Sequence, residues 1–245
     1  MLILISPAKS LNYESGFSYS NFTTPHFSNE TKELVTKLRK FSVLDLEKLM
    51  GVSKKLAELN HERFKKFSDK FTFQNSKQAL LAFDGDVYKP IEVEKFSAAD
   101  FDFAQKHLRI LSGFYGILRP LDLMQPYRLE MGTSSLNLCK FWSEKISQYL
   151  DAQGAKQIIN LASEEYFSAV NPKKISAKII NVIFKENKNG VYKIVGINAK
   201  KARGLMSNFI IKNKLTDAQE LKNFKIENYK FEKEMSDEEN FVFVR

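Results

Sequence analysis

The sequence predicts an α+β fold, a single domain with a mixed sheet surrounded by helices, and three patterns carry that expectation. A short, continuously apolar run at residues 1–5 has the composition of a strand covered on both faces, and residues 157–161 read as a further buried strand. Two β-rich runs are separated by residues 185–190, which end in Asn189-Gly190, a hairpin signal that implies antiparallel pairing. Helical periodicity recurs between these strands, so neither an all-β nor an all-α class fits.

Taken in order, residues 1–5 form a strand that stops at Ser6-Pro7, where proline fixes φ and withholds an amide. The polar and aromatic stretch 12–28 reads as irregular. Helices follow at 29–41 and 44–50, the second presenting Leu44, Leu46, Leu49 and Met50 as an apolar face. Gly51 supplies the positive φ of a sharp turn and Ser53 caps the next helix, residues 54–67. Its buried side would hold Leu56, Leu59, Phe64 and Phe67, leaving Lys54, Lys55, Arg63, Lys65 and Lys66 outside. Residues 76–81 give a short helical pattern before the turn Asp84-Gly85-Asp86. Ser97 and Asp100 have capping-box spacing, and Phe101, Ala104, Leu108 and Leu111 continue the helical period until Gly113. Between 114 and 131, Pro120 and Pro126 favour strands and turns. A helix at 141–150 and a strand at 157–161 precede the hairpin arms, 178–184 and 191–197. Residues 200–214 then read as a helix, Thr216 with Gln219 caps a shorter one, and 224–231 and 241–244 alternate as strands. No linker-like segment divides residues 1–245.

With 43% hydrophobic residues the chain supports a sizeable core, and its net charge of +9 favours anionic partners. Basic and acidic blocks are segregated: Lys200, Lys201, Arg203, Lys212 and Lys214 stand without an acid among them, whereas 232–239 is strongly acidic. Cys139 is the only cysteine, which excludes an intrachain disulfide and suggests a reducing, cytoplasmic setting. The apolar opening is too short for a signal core or a membrane span, and no membrane partner is expected.

The strongest functional pattern is 50–57, the turn and second-helix start of a helix-hairpin-helix at about residues 43–67. Gly51, Val52, Ser53, Lys54 and Lys55 would offer unpaired amides, a helix dipole and two ammonium groups to a phosphate. The pattern points to DNA phosphates read without a base code, while an ordinary helix ending at Gly51 and a second one capped by Ser53 is the alternative reading of the same residues. Ser53 stands where such hairpins usually carry a second glycine. Lys9, Arg128, Lys200, Lys201 and Arg203 would extend the phosphate contacts along a positively charged cleft. Asp84, Asp86, Glu130, Asn160, Ser163 and Tyr166 also fall at strand ends and turns, and a mixture of acids with lysine and arginine exceeds what phosphate binding requires. The alternative is thus an enzyme acting on a nucleotide or another anionic substrate, although no catalytic motif identifies a reaction. His26, His61 and His107 are scattered, neither a P-loop nor a dinucleotide fingerprint is present, and no metal or cofactor is expected.

The segments 4–9, 83–88, 111–120, 124–132, 160–167 and 199–206, among them Ser6-Pro7-Ala8-Lys9, Phe83-Asp84-Gly85-Asp86 and Lys200-Lys201-Ala202-Arg203-Gly204, resemble the YaaA family of peroxide-stress proteins in order and over nearly the whole length. That resemblance implies a cytoplasmic protein of the peroxide response that lowers free iron and so limits hydroxyl-radical damage. It also implies a single domain with a helix-hairpin-helix, a positively charged cleft and binding to duplex or branched DNA.

Overall fold

In the computed structural model, which describes residues 1–14 and 19–245, the chain begins with β1 (Leu2–Ile5) and the short β2 (Ser10–Leu11). Part of the stretch read as irregular, residues 15–18, lies outside the described residues. Three helices follow: α1 (Ser28–Leu38), α2 (Val43–Met50) and α3 (Lys54–Lys66). After β3 (Lys77–Gln78), α4 (Ala79–Ala82) and β4 (Phe83–Asp84) comes α5 (Ala98–His107), which runs directly into β5 (Leu108–Ser112). The second half contains β6 (Gly116–Leu118), β7 (Leu123–Met124), α6 (Leu138–Asp151), β8 (Gln157–Asn160) and α7 (Glu164–Phe167). It closes with β9 (Lys178–Lys188), β10 (Val191–Lys193), α8 (Gly196–Asn213), β11 (Lys230–Phe231) and β12 (Asn240–Val244).

The central sheet runs β11-β12-β9-β8-β1-β5-β6, with β10 hairpinned onto β9. The five inner strands are parallel, and β11, β6 and β10 pair antiparallel, so the sheet is mixed as expected. Every residue of β1 and β5 is buried, which is why β1 is apolar throughout and neither strand alternates apolar with polar residues along its length. Helices cover the sheet: α5 packs on β1 and β5, α6 on β6, and α8 on β9 and α5. One apolar cluster extends from Leu2 to Phe243.

Several expected boundaries move for identifiable reasons. The capping box at Ser97 and Asp100 is formed, but its helix ends at His107 and the apolar continuation is the buried strand β5. A fully buried strand has no period of its own, so Leu108 and Leu111 extended a helical count by coincidence of spacing. Residues 191–197 split between the three-residue β10 and the start of α8 at Gly196. Asp217 with Glu220, rather than Thr216 with Gln219, caps the following 3₁₀ turn, and only residues 230–231 of the stretch 224–231 pair as a strand. Within 76–81, two residues are strand and the helix is a single turn. Leu59 on α3 is exposed, and Ala57, Asn60 and Phe64 form its buried side.

An asparagine ladder crosses the sheet at matching register. Asn160 Nδ2 donates to Asn181 Oδ1 at 2.9 Å, and Asn181 Nδ2 donates to Asn240 Oδ1 at 3.2 Å. Asn160 Oδ1 also accepts the Ala162 amide at 3.0 Å, which fixes the turn leaving β8.

Candidate functional site

Strand order creates a crevice before any side chain is considered. From β1 the chain proceeds to β5 on one side, and from β8 it proceeds to β9 on the other, although β1 and β8 are neighbours. Loops leaving adjacent parallel strands in opposite directions open a gap at the carboxyl ends, the usual ligand position in such sheets. Here the gap is laced by Ser6 and Ser163: the Ser163 amide donates to Ser6 Oγ at 2.8 Å, and Ser6 Oγ donates to Ser163 Oγ at 3.2 Å.

Two further segments complete the walls. β2 pairs with β4 through Ser10 and Asp84, which brings the Asp84-Gly85-Asp86 turn beside the loop leaving β1. Tyr88 lies behind that turn, fully buried, and donates to the Ser6 carbonyl at 2.9 Å; burial raises its pKa, so it remains a phenol. α8 closes the remaining side. Gly204 allows this approach, because a Cβ there would lie 3.0 Å from the Val87 carbonyl carbon and 3.2 Å from Pro90 Cβ. Asn208 fastens the contact by donating to the Ile91 carbonyl at 2.6 Å.

The resulting cavity of about 250 Å³ is lined by Lys9, Asp84, Asp86, Ser163, Glu165, Tyr166, Lys200 and Arg203, together with residues of the loops already named. Three bases therefore face three acids. Lys9 Nζ pairs with Glu130 Oε2 at 2.8 Å, and Arg128 binds the other oxygen of that carboxylate at 3.1 Å. Glu130 is held in place by close packing, since Gly113 has room for no side chain against the Glu130 backbone. Burial, followed by the neighbouring Tyr127, Glu165 and Glu130, keeps the Tyr166 hydroxyl protonated well above the usual phenol range. Among the described residues Arg203 and Lys200 make no ion pair, and Arg203 is the more buried of the two, burial pulling its guanidinium pKa down.

The sequence-derived candidates thus divide into three groups. Lys9, Asp84, Asp86, Ser163, Tyr166, Lys200 and Arg203 converge on the crevice, with Arg128 and Glu130 joined to it through Lys9. Asn160 is not among the lining residues; its amide is engaged in the ladder and the turn, from where it positions Ser163. Lys201 is exposed and is also outside the lining. Sequence reasoning missed Glu165, which lines the cavity and accepts the Gly132 amide at 3.1 Å, and Gly204, whose signal was only its place among the basic residues of α8.

Gly51 and its neighbours form a separate feature. Gly51 has φ of 59° and joins α2 to α3 in a tight turn. Its amide and that of Val52 both bond to the Glu47 carbonyl, and Val52 packs partly against the core, so these two amides are spent within the protein. Ser53 adopts cap geometry, yet its side chain makes no capping bond to α3, whereas Ser42 and Ser97 make full capping boxes. The first turn of α3 contains no acid, and Lys54 is 75% exposed with only a 4.0 Å contact to Glu58.

Two of the three histidines and the cysteine are engaged elsewhere, whereas the buried Nδ1 of His61 has no partner among the described residues. His107 Nδ1 lies 2.7 Å from the Met1 carbonyl, His26 packs between Phe27 and Tyr149, and Cys139 Sγ lies 3.2 Å from Ser168 Oγ. Among the described residues, no group of three or more His, Cys, Asp or Glu side chains is placed to hold a metal ion, and no helix is long and apolar enough to cross a membrane. The family model described as peroxide stress protein YaaA matches residues 1–235, and the chain belongs to that family.

Proposed function

We propose that this member of the peroxide-stress family binds the phosphate backbone of double-stranded or branched DNA through the α2–α3 turn, a helix-hairpin-helix, and thereby limits iron-dependent oxidative damage. The observation that carries the reading is the uncapped start of α3. Its first amides have no side-chain partner, its first turn lacks an acid, and Lys54 and Lys55 project beside it. Unpaired amides, the positive end of a thirteen-residue helix and two ammonium groups all favour an anion at one place. Ser53 leaves those amides open where a capping serine would have filled them. The contact set is accordingly Ser53, Lys54 and Lys55, with Gly51 and Val52 shaping the turn. Lys9 and Arg128 are neutralised by Glu130 and contribute little to a phosphate track.

Fluorescence anisotropy with labelled duplex and four-way-junction DNA across a salt series tests this reading. Each phosphate contact contributes about 0.9 to the slope of log K against log salt on duplex DNA. Lys54→Ala/Lys55→Ala should lower that slope by about 1.8 and weaken binding uniformly across sequences. An unchanged slope removes the hairpin from DNA recognition. In the same preparations, protection of plasmid DNA from ferrous iron and peroxide should fall with affinity; protection that persists in the variant separates the stress role from DNA binding.

A further inference from the structure

We infer that the switch-point crevice is a second and independent site, one that takes a single nucleoside monophosphate, free or as a nucleotide extruded from a DNA strand. It does not rest on the hairpin reading. Size sets the first limit: a cavity of about 250 Å³ lies at or just below the small end of ligand pockets and cannot admit a duplex, whose major groove alone is ~12 Å wide. A ligand no larger than one nucleotide is what that size allows. Charge sets the second limit, because Asp84, Asp86 and Glu165 oppose Lys9, Lys200 and Arg203. A track for bare phosphates has no use for three carboxylates, which repel an anion and accept hydrogen bonds from hydroxyl or amino groups.

The cations are not equivalent. Lys9 is already bound to Glu130, whereas Arg203 is partly buried and has no carboxylate partner among the described residues. An arginine in that state is suited to a phosphate, whose oxygens match its planar fork, and Lys200 lies one turn earlier on the same helix and lines the same cavity. The phosphate therefore belongs at Arg203 and Lys200, and the donors of the ribose or base belong at Asp84 and Asp86. Ser6 and Ser163 join the two central strands at the base of the crevice, and Tyr166 keeps its proton at neutral pH and can donate a hydrogen bond.

Isothermal titration calorimetry of the full chain with AMP, GMP, CMP and UMP, and with adenosine and inorganic phosphate as controls, provides the test. At least one monophosphate should bind more tightly than either control, and Arg203→Gln should weaken it about tenfold or more. Lys200→Ala, at an exposed position where folding is not at stake, should weaken it in the same direction, while Lys54→Ala/Lys55→Ala should leave it unchanged. A parallel titration with duplex DNA carrying 2-aminopurine opposite a mismatch distinguishes the sources: a fluorescence rise reversed by the free monophosphate identifies an extruded nucleotide, and monophosphate binding without that rise identifies a free one. Absence of monophosphate binding at millimolar concentration, binding no tighter than inorganic phosphate, or binding indifferent to both Arg203→Gln and Lys200→Ala overturns the inference. Loss of hairpin-dependent DNA binding alone leaves it standing.

Discussion

Gly204→Ala should destabilise the protein even though alanine is the better helix former. In the interior of an exposed helix this exchange gains up to about 1 kcal/mol. Gly204 is buried against backbone, however: the added Cβ would sit 3.0 Å from the Val87 carbonyl carbon, closer still to its oxygen, and 3.2 Å from Pro90 Cβ. The obstructing group cannot rotate away as a side chain would. The Val87 carbonyl belongs to a segment tied down by the Tyr88 hydrogen bond to Ser6 and by Asn208 on Ile91, so α8 itself must move. Overpacking of this kind costs about 1–3 kcal/mol, leaving a net loss of roughly 0.5–2 kcal/mol and a fall in Tm of about 1–8 °C for a chain of this size. At Gly196, the first residue of the same helix, an added Cβ would meet nothing within 4 Å, and φ is not positive. Gly196→Ala should therefore be neutral or stabilising by a few tenths of a kcal/mol. Thermal and urea denaturation of the two variants compares them directly. Equal or higher stability for Gly204→Ala would refute the claim that α8 is seated against the Val87 backbone, and with it the account of how Lys200 and Arg203 reach the crevice.

Other outcomes follow from the same contacts. Asp100 is buried, caps α5 through Ser97 and pairs with Lys212 at 2.8 Å and with Lys214, clasping α5 to α8. Burial acts to raise its pKa, but the hydrogen bonds from the two lysines and from Ser97 prevail and hold the carboxyl far below the usual range. A carboxyl depressed in the folded state stabilises above its unfolded pKa near 4 and loses that contribution as pH falls. Asp100→Asn should thus cost about 2–4 kcal/mol at pH 7, with the difference from wild type shrinking below pH 4 in denaturant titrations; a pH-independent difference would contradict the ion pairs. For His107, burial lowers the pKa despite the Met1 carbonyl, so its neutral form is favoured on folding. Stability should decline as pH falls below about 6.5, and His107→Gln should flatten that limb. At Gly51 the surroundings are open, so only backbone conformation resists substitution: Gly51→Val should cost about 1–2 kcal/mol and Gly51→Asn less, measured by chemical denaturation.

The legible parts of the molecule were those encoded by neighbours in sequence. The Ser97–Asp100 capping box, the Gly51 turn and the Asn189-Gly190 hairpin all use residues within five positions of one another, and each forms. The α5–β5 junction was illegible because burial on both faces erases alternation, and because β5 carries a buried Arg109, whose two terminal nitrogens reach the Gln105 and Leu108 carbonyls and Gln153 while its Nε has no partner among the described residues. Five of the crevice residues were visible as polar groups at strand ends and two, Lys200 and Arg203, at the start of a helix, yet their roles were not. The Lys9–Glu130 and Ser6–Ser163 contacts join residues more than a hundred positions apart, and only the parallel order of β1 and β8 brings the two serines together. Asn160 shows the converse: a polar residue at a strand end that the pairing with Asn181 turns inward along the sheet.

The distribution of charge argues for a division of labour between the two features. A net charge of +9 invites the expectation of one continuous positive cleft, but the crevice has three acids against three bases, and Glu130 further neutralises Lys9 and Arg128. Lysines at the start of α3 have no such counterweight beyond Glu58. Exposed ammonium groups attract phosphates by counterion release and lose that attraction steeply in salt, whereas a partly buried guanidinium facing a single bound phosphate is screened far less. The two activities should therefore separate on a salt axis. Raising sodium chloride from about 50 to about 200 mM should weaken DNA binding at the proposed hairpin site about twelvefold through its two lysine contacts, while leaving mononucleotide affinity within a few-fold of its starting value. Parallel decline of both would mean that one electrostatic surface serves both ligands, and that the balance of charge in the crevice is not what governs its occupant.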